Sequence, residues 1–429
     1  MSIQSILDKA LTGAELSASE GAGLFAAEGE TLTQLISVAD QLRRRANGDR
    51  VGYVVNRNIN FTNVCVKRCG FCAFSRGHRA EQGYFLPQEE ILRRAREAWD
   101  LGATEVCLQA GLPPRMKGSF YIDLCAAIKK ELPEMHVHGF SPEEVLYGAT
   151  LSSWSVEEYL AALKDVGLGS LPGTSAEILD DEVRERISPG RISTQDWIRV
   201  IRGAHRLGLS TTSTIMFGHI ETPLHRARHL ELLRNIQKET GGFTEFVPLS
   251  FIRAEAPMVK KSLVPVPFET GRDDVLRMYA VSRLMLNGWI KNIQASWVKQ
   301  GPEQAQECLQ AGANDFGGTL MNESISTSAG APHGQFLSPP VMRSWIRKAG
   351  RTPVQRSTKY DFIRVFDRDE AEAPEENSWN NERFGSYNGL IASSEFRFIQ
   401  RQQLISQISS ERPQLEKLGV KDEERESYR

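Results

Sequence analysis

The stretch Asn58-Ile59-Asn60-Phe61-Thr62-Asn63-Val64-Cys65-Val66-Lys67-Arg68-Cys69-Gly70-Phe71-Cys72-Ala73-Phe74 decides how the rest of the chain is read. Its first residues close a β-type run at 54–60, so the three cysteines fall on the loop that leaves a strand. Their C-x-x-x-C-x-x-C spacing puts three soft thiolate ligands on one short loop, which suits an iron–sulfur cluster or zinc. Structural zinc sites are closed by four ligands. Zinc here needs a further donor, and His78 is the nearest in sequence; the spacing is not that of zinc knuckles, and no second cysteine pair exists. A four-iron cluster held by three cysteines leaves one iron open to an external ligand.

Seven more β-type runs follow, at 105–110, 135–140, 169–174, 213–217, 245–251, 292–296 and 315–320. Amphipathic stretches separate them. Ile91, Leu92, Ala95, Ala98 and Trp99 form one stripe at helical period. Ser155 with Glu158, and Ser193 with Asp196, read as helix-opening caps. Gly208 and Gly288 stand just past helix ends. Strands alternating with helices imply parallel pairing through crossovers. Eight such runs predict an α/β fold, a (βα)8 TIM-type barrel over 51–366, with chemistry at the C-terminal ends of the strands. Residues 1–50, with Leu32, Leu35, Ile36 and Ala39 at helical spacing, predict a helical N-terminal cap. Residues 367–429 read as a charged linker and tail, partly disordered.

The 52 Lys and Arg nearly balance 54 Asp and Glu, for a net charge of -2. That balance gives no reason to expect a nucleic-acid or membrane-surface partner. No apolar run approaches the ~20 residues of a membrane span, and no signal-peptide pattern opens the chain. A cytosolic protein is expected, in which clustered cysteines mean metal or catalysis rather than disulfides. Cys107, Cys125 and Cys308 read as small core residues.

The cysteine loop, with Phe71 before its last ligand, resembles the radical S-adenosylmethionine superfamily. Residues 50–366 further resemble the FO synthase subunit 2 family, the 5-amino-6-(D-ribitylamino)uracil–L-tyrosine 4-hydroxyphenyl transferases. Four other motifs carry the likeness: 56–60 (Asn-Arg-Asn-Ile-Asn), 136–143 (His-Val-His-Gly-Phe-Ser-Pro-Glu), 172–179 (Pro-Gly-Thr-Ser-Ala-Glu-Ile-Leu) and 214–219 (Thr-Ile-Met-Phe-Gly-His). A fifth, the most specific, is 313–324, Ala-Asn-Asp-Phe-Gly-Gly-Thr-Leu-Met-Asn-Glu-Ser. It argues against the related menaquinone-pathway enzymes, dehypoxanthine futalosine cyclase and aminofutalosine synthase.

The resemblance implies a 4Fe–4S cluster on Cys65, Cys69 and Cys72, with S-adenosyl-L-methionine on the open iron. Phe71, Gln109, Gly111, Glu177 and Arg191 are the expected cofactor-binding residues. At the end of the second strand Gln109 replaces the more usual glycine, so contact through backbone carbonyls is expected; a plain βα turn is the alternative. Glu177 suits ribose hydroxyls, or else the first turn of a helix. Arg191 pairs with the cofactor carboxylate, or is a surface residue.

His136 and His138 face one side of their strand. His138, nearer the C-terminal end, is expected to hold the phenol or carboxylate of tyrosine, against a hydrogen-bonded barrel histidine. Asn314, Asp315 and Glu323 complete the expected catalytic set, with Gln294, Ser296, Trp297 and Asn322 as polar company for a ribityl uracil. Gly317-Gly318 reads as a tight turn, since no Walker-type lysine follows. The implied reaction begins with one-electron cleavage of S-adenosylmethionine and hydrogen abstraction from L-tyrosine. A hydroxybenzyl fragment then adds to 5-amino-6-(D-ribitylamino)uracil. Implied partners are a ferredoxin or flavodoxin electron donor and FO synthase subunit 1. A non-catalytic zinc protein is the reading from another class.

Overall fold

A computed structural model describes residues 2–266, 269–367 and 384–399. The first expected strand is broken into β1 (Arg50–Val54) and β2 (Asn56–Ile59). Next come β3 (Glu105–Leu108), β4 (His136–Gly139), β5 (Ser170–Leu171), β6 (Ser210–Phe217) and β7 (Phe243–Ser250). Strands β2 to β7 form one six-stranded sheet in sequence order, every pair parallel. Each crossover carries helix, for example Gln88–Asp100 between β2 and β3. On that helix Ile91, Ala95 and Ala98 are buried, whereas Trp99, from the same stripe, is 39% exposed. The caps on Ser155 and Ser193 form as read.

The expectation of eight continuous strands is corrected: the continuous sheet is a six-stranded partial barrel. At the seventh position only two bridges form, Phe246 with Ile293 and Gln294 with Asp315. Backbone bonds still cross it, from Phe246 N to Asn292 O at 2.9 Å, Gln294 N to Phe246 O at 3.0 Å, Asn314 N to Ile293 O at 3.0 Å and Ala295 N to Asp315 O at 2.8 Å. Side chains add to them, because Asn314 Oδ1 accepts from the Ile293 amide at 2.9 Å and Asn314 Nδ2 donates to Asn292 at 3.0 Å. The eighth strand, β8 (Asp315–Gly318), pairs along its length with β1 and meets the seventh segment only at the Gln294–Asp315 bridge.

Two strands beyond the expected set follow, β9 (Thr352–Arg356) and β10 (Phe362–Val365). Strand β9 lies parallel to β1 and antiparallel to β10. Their turn reaches into the end of the lumen where the strands begin. Arg356 donates to Asp315 at 2.5 and 2.8 Å, Thr358 to Glu105 at 2.7 Å, and Tyr360 to Glu245. Buried charges persist where every one is paired or hydrogen-bonded, and this network plugs the barrel floor.

Helices α1 (Ile3–Leu11), α2 (Ala18–Leu24) and α3 (Gly29–Asn47) pack on the barrel helices Pro223–Thr240 and Arg272–Leu286. Leu32, Leu35 and Ala39 enter the core from α3. At the other end of the chain, 384–399 returns to the barrel mouth. The Phe85 amide donates to the Phe396 carbonyl and the Phe398 amide to the Gly83 carbonyl, at 2.9 and 3.0 Å. The rest of the expected tail, 368–383 and 400–429, lies outside the described residues.

Candidate active site

The alternation of β2 places Asn56, Asn58 and Asn60 toward the lumen, while Ile59 joins the apolar layer outside. The chain then turns into the cysteine loop at the strand's C-terminal end. Backbone bonds pin that loop on several sides: Val66 N to Leu112 O at 2.8 Å, Gly70 N to Ile187 O at 2.7 Å, and Met258 N to Gly70 O at 2.7 Å. Gly111 is where the second βα turn touches it. A Cβ there would collide with the Val64 carbonyl, so only glycine lets the two backbones approach.

Cys65, Cys69 and Cys72 are half-buried free thiols. Burial raises the Cys65 thiol and pushes Cys69 up to about 12. Among the described residues no three His, Cys, Asp or Glu side chains converge on a single ion. His78 is exposed, and three soft thiolates on one loop suit an iron–sulfur cluster.

Arg191 lies against this loop. Its guanidinium is 3.7 Å from Cys69 Sγ and stacks over the Phe71 ring at 5.3 Å. It pairs with Glu177 at 2.8 Å and with Glu143 at 3.5 Å. Arg191 is thus no surface residue, and two carboxylates already hold it. Glu177 has φ +39°, and its second oxygen is buried without a partner. An uncommon backbone and an orphaned acceptor at a strand end fit a hydroxyl-bearing ligand better than a helix first turn. Ser175 after β5, Phe140 after β4, and Leu320 and Asn322 after β8 also have positive φ, so the irregular backbone gathers on this face.

The other expected residues are dispersed. Gln109 donates to Thr174 at 2.5 Å, and its carbonyl accepts from Asn60 at 2.8 Å. His138 faces the lumen level with Cys107 and bonds Ser170 through Nδ1 at 2.7 Å. Burial lowers its pKa, so the ring is neutral. Cys107 corrects an expectation, because it is half-buried on the lumen side while Cys125 and Cys308 are core. Asn314 and Asp315 do not join the cysteines. Asn314 is held by Arg283 and the seventh segment, and Asp315 by Arg356, both at the barrel floor. A cavity of about 800 Å³ opens at that floor, lined by Arg50, Gly52 and Arg356 among others, well away from the cysteine loop. Glu323 reaches the mouth but accepts from the Ser326 amide at 2.9 and 3.0 Å, capping the short helix Ile325–Ser328.

Four residues missed in the sequence belong here. Glu143 links Arg191 to Lys67, which is 3.2 Å away. Asn58 and Asn60 each hold a buried amide oxygen with no partner; the period-two run 56–60 was the signal for them. Lys299, on the short helix Trp297–Gln300, lies close enough to Cys72 and Glu323 for its charge to be felt by both. No pattern marked it.

This fold and this loop define the class: the chain belongs to the radical SAM superfamily, whose model matches residues 59–233. The model described as CofH/MqnC C-terminal region matches 240–368. Within the superfamily, the chain belongs to the family of the 5-amino-6-(D-ribitylamino)uracil–L-tyrosine 4-hydroxyphenyl transferases. It is 50% identical over 358 residues to the transferase of that name from Methanothermobacter thermautotrophicus, covering 83% of this chain and 97% of the relative. It is 47% identical to a protein of Streptomyces avermitilis named FO synthase, covering 81% of this chain but 40% of that longer relative. Among solved structures, methylornithine synthase matches with a TM-score of 0.64 at 20% identity, covering 82% of this chain and 97% of that one, a likeness of fold.

Proposed function

We propose that this chain transfers the 4-hydroxybenzyl group of L-tyrosine to 5-amino-6-(D-ribitylamino)uracil, with a 4Fe–4S cluster on Cys65, Cys69 and Cys72 and S-adenosyl-L-methionine beside it. The observation that carries this is 50% identity along nearly the whole length of a relative so named. When bound, cluster and S-adenosylmethionine supply a one-electron route to hydrogen abstraction. The chain's own residues position and enclose. The free oxygen of Glu177 accepts from ribose hydroxyls, while Arg191 holds that carboxylate and the Cys69 side of the loop together. Asn58 and Asn60 offer unpaired amide oxygens to the N–H and O–H groups of a ribityl uracil. His138 and Lys299 face the tyrosine. A lumen with a plugged floor keeps water from a reactive intermediate.

The longer Streptomyces relative, in which further sequence is joined to a region like this chain, supports FO synthase subunit 1 as a partner. No described helix is long and apolar enough to cross a membrane, and we place the chain in the reducing cytosol. The test is an anaerobic assay of the reduced, reconstituted enzyme. 5′-Deoxyadenosine is expected only with tyrosine, and adduct mass only when the diaminouracil is added. Turnover with a futalosine derivative and none with tyrosine would reverse the assignment.

A further inference from the structure

We propose that the collar around the cysteine loop is the docking surface for an acidic electron-transfer protein carrying an iron–sulfur or flavin group. The inference rests on the functional reading above, in which the cluster must receive an electron from outside. The chain as a whole is nearly neutral, yet 66–70, 75–79, 112–118, 186–191 and 257–261 together hold ten Lys or Arg and no Asp or Glu. These segments adjoin one another in space. The Leu112, Ile187 and Met258 bonds tie three of them to the cysteine loop, and Cys65 N donates to Arg76 O at 3.0 Å.

Within the collar Arg68, Arg79, Arg115, Lys117, Arg186 and Lys261 are exposed. Arg68, Arg79, Lys117 and Lys261 have no ion-pair partner among the described residues. The acids at the margin are Glu81, Glu185 and Glu255, and Glu255 is taken by Lys260. Lys67 and Arg191 turn inward to Glu143 and Glu177. A solvated face needs no such sorting of sign; a single-sign field steers and orients an oppositely charged partner.

Val66, 45% exposed, stands between two cysteine ligands. An apolar centre inside a charged rim fits a small transient interface, and it places the partner over the shortest route to the thiolates. Exposed aromatic side chains that would stack nucleic-acid bases do not occur among the described residues of the collar. Each encounter moves one electron: the reduced donor leaves one electron poorer, the cluster gains it, and no atoms are exchanged.

The test compares reduced flavodoxin of acidic charge with dithionite as reductant of the reconstituted holoenzyme. In the triple variant Arg68→Glu, Lys117→Glu, Lys261→Glu the flavodoxin-driven rate should fall ~10-fold or more and lose its salt dependence. The dithionite-driven rate and iron content should hold. An unchanged flavodoxin rate overturns the proposal, as does a wild-type flavodoxin rate indifferent to salt. So does a variant that loses binding of a labelled DNA duplex while keeping its flavodoxin rate. If both rates fall together, the neutral variant Arg68→Gln, Lys117→Gln decides, since docking requires it to lower the flavodoxin rate alone. Absence of tyrosine-dependent 5′-deoxyadenosine from wild type under dithionite would instead sink the functional reading.

Discussion

Lys299 carries its ammonium in a confined space without a hydrogen bond or ion pair among the described residues, and burial lowers its pKa. The carboxylate that could pair with it, Glu323, spends both oxygens on the Ser326 amide. The proposed function supplies a counter-ion in the α-carboxylate of tyrosine. Lys299→Met should raise the KM for tyrosine by ~10- to 100-fold, as loss of a charged hydrogen bond worth ~1.5–3 kcal/mol implies. An unaltered KM, with cluster absorbance intact, would remove this role. His229 is the opposite case, a buried histidine with both nitrogens used. Its Nδ1 accepts from the Leu179 amide at 3.0 Å, and Nε2 bonds the Thr214 carbonyl at 2.9 Å, tying the loop of Glu177 to β6. Burial pushes its pKa down to about 3. The unfolded chain takes up this proton below about pH 6.5 and the folded one does not. Stability is therefore full above that pH and falls toward pH 3, by up to ~1.4 kcal/mol per unit. His229→Gln should flatten that part of a profile of melting temperature against pH; identical slopes would refute it.

At the scale of elements, the returning segment 384–399 is tied to both sides of the mouth. Asn322 donates to the Phe384 carbonyl, at 2.5 Å, and the Arg57 guanidinium lies over the Phe384 ring. Tyr387 meets Phe74, just past the last cysteine ligand, with ring centroids 5.6 Å apart. The segment lies beyond both matched family regions, the second of which ends at 368. Truncation after 383 should lower the melting temperature and speed bleaching of the cluster in air, because Phe74, Tyr84 and Phe85 lose their cover. Equal bleaching rates for full-length and truncated protein would show the segment to be dispensable. A charged, proline-interrupted sequence around 367–381 predicts only a linker. Docking at 384–399 depends on Phe384, Tyr387 and Phe398 meeting distant partners, and local pattern does not encode that. The seventh strand shows the same limit, since 292–296 reads as a strand but forms only two isolated bridges, with Asn292 and Asn314 side chains bonded beside them.

Across the whole molecule the barrel has a reactive mouth and a structural floor. Arg356, Asp315, Glu245 and Tyr360 meet at the floor from β7, β8, β9 and the β9–β10 turn. Arg356→Met leaves buried acids without their cation, and should cost about 3–5 kcal/mol while the cluster spectrum of the protein that does fold stays unchanged. A spectral change with little loss of stability would mean that floor and mouth are coupled. The sequence by itself determined the cysteine loop after the first strand, the alternation of strands and helices, and the family. These live in spacing, in periodicity and in contiguous motifs. Tertiary structure alone decided that Asn314 and Asp315, although part of the most specific motif, lie at the floor, and that Glu143, Lys299 and the returning segment lie at the mouth. The reason is geometric: parallel strands carry neighbours in sequence to opposite ends of a barrel, and bring to one end residues hundreds of positions apart.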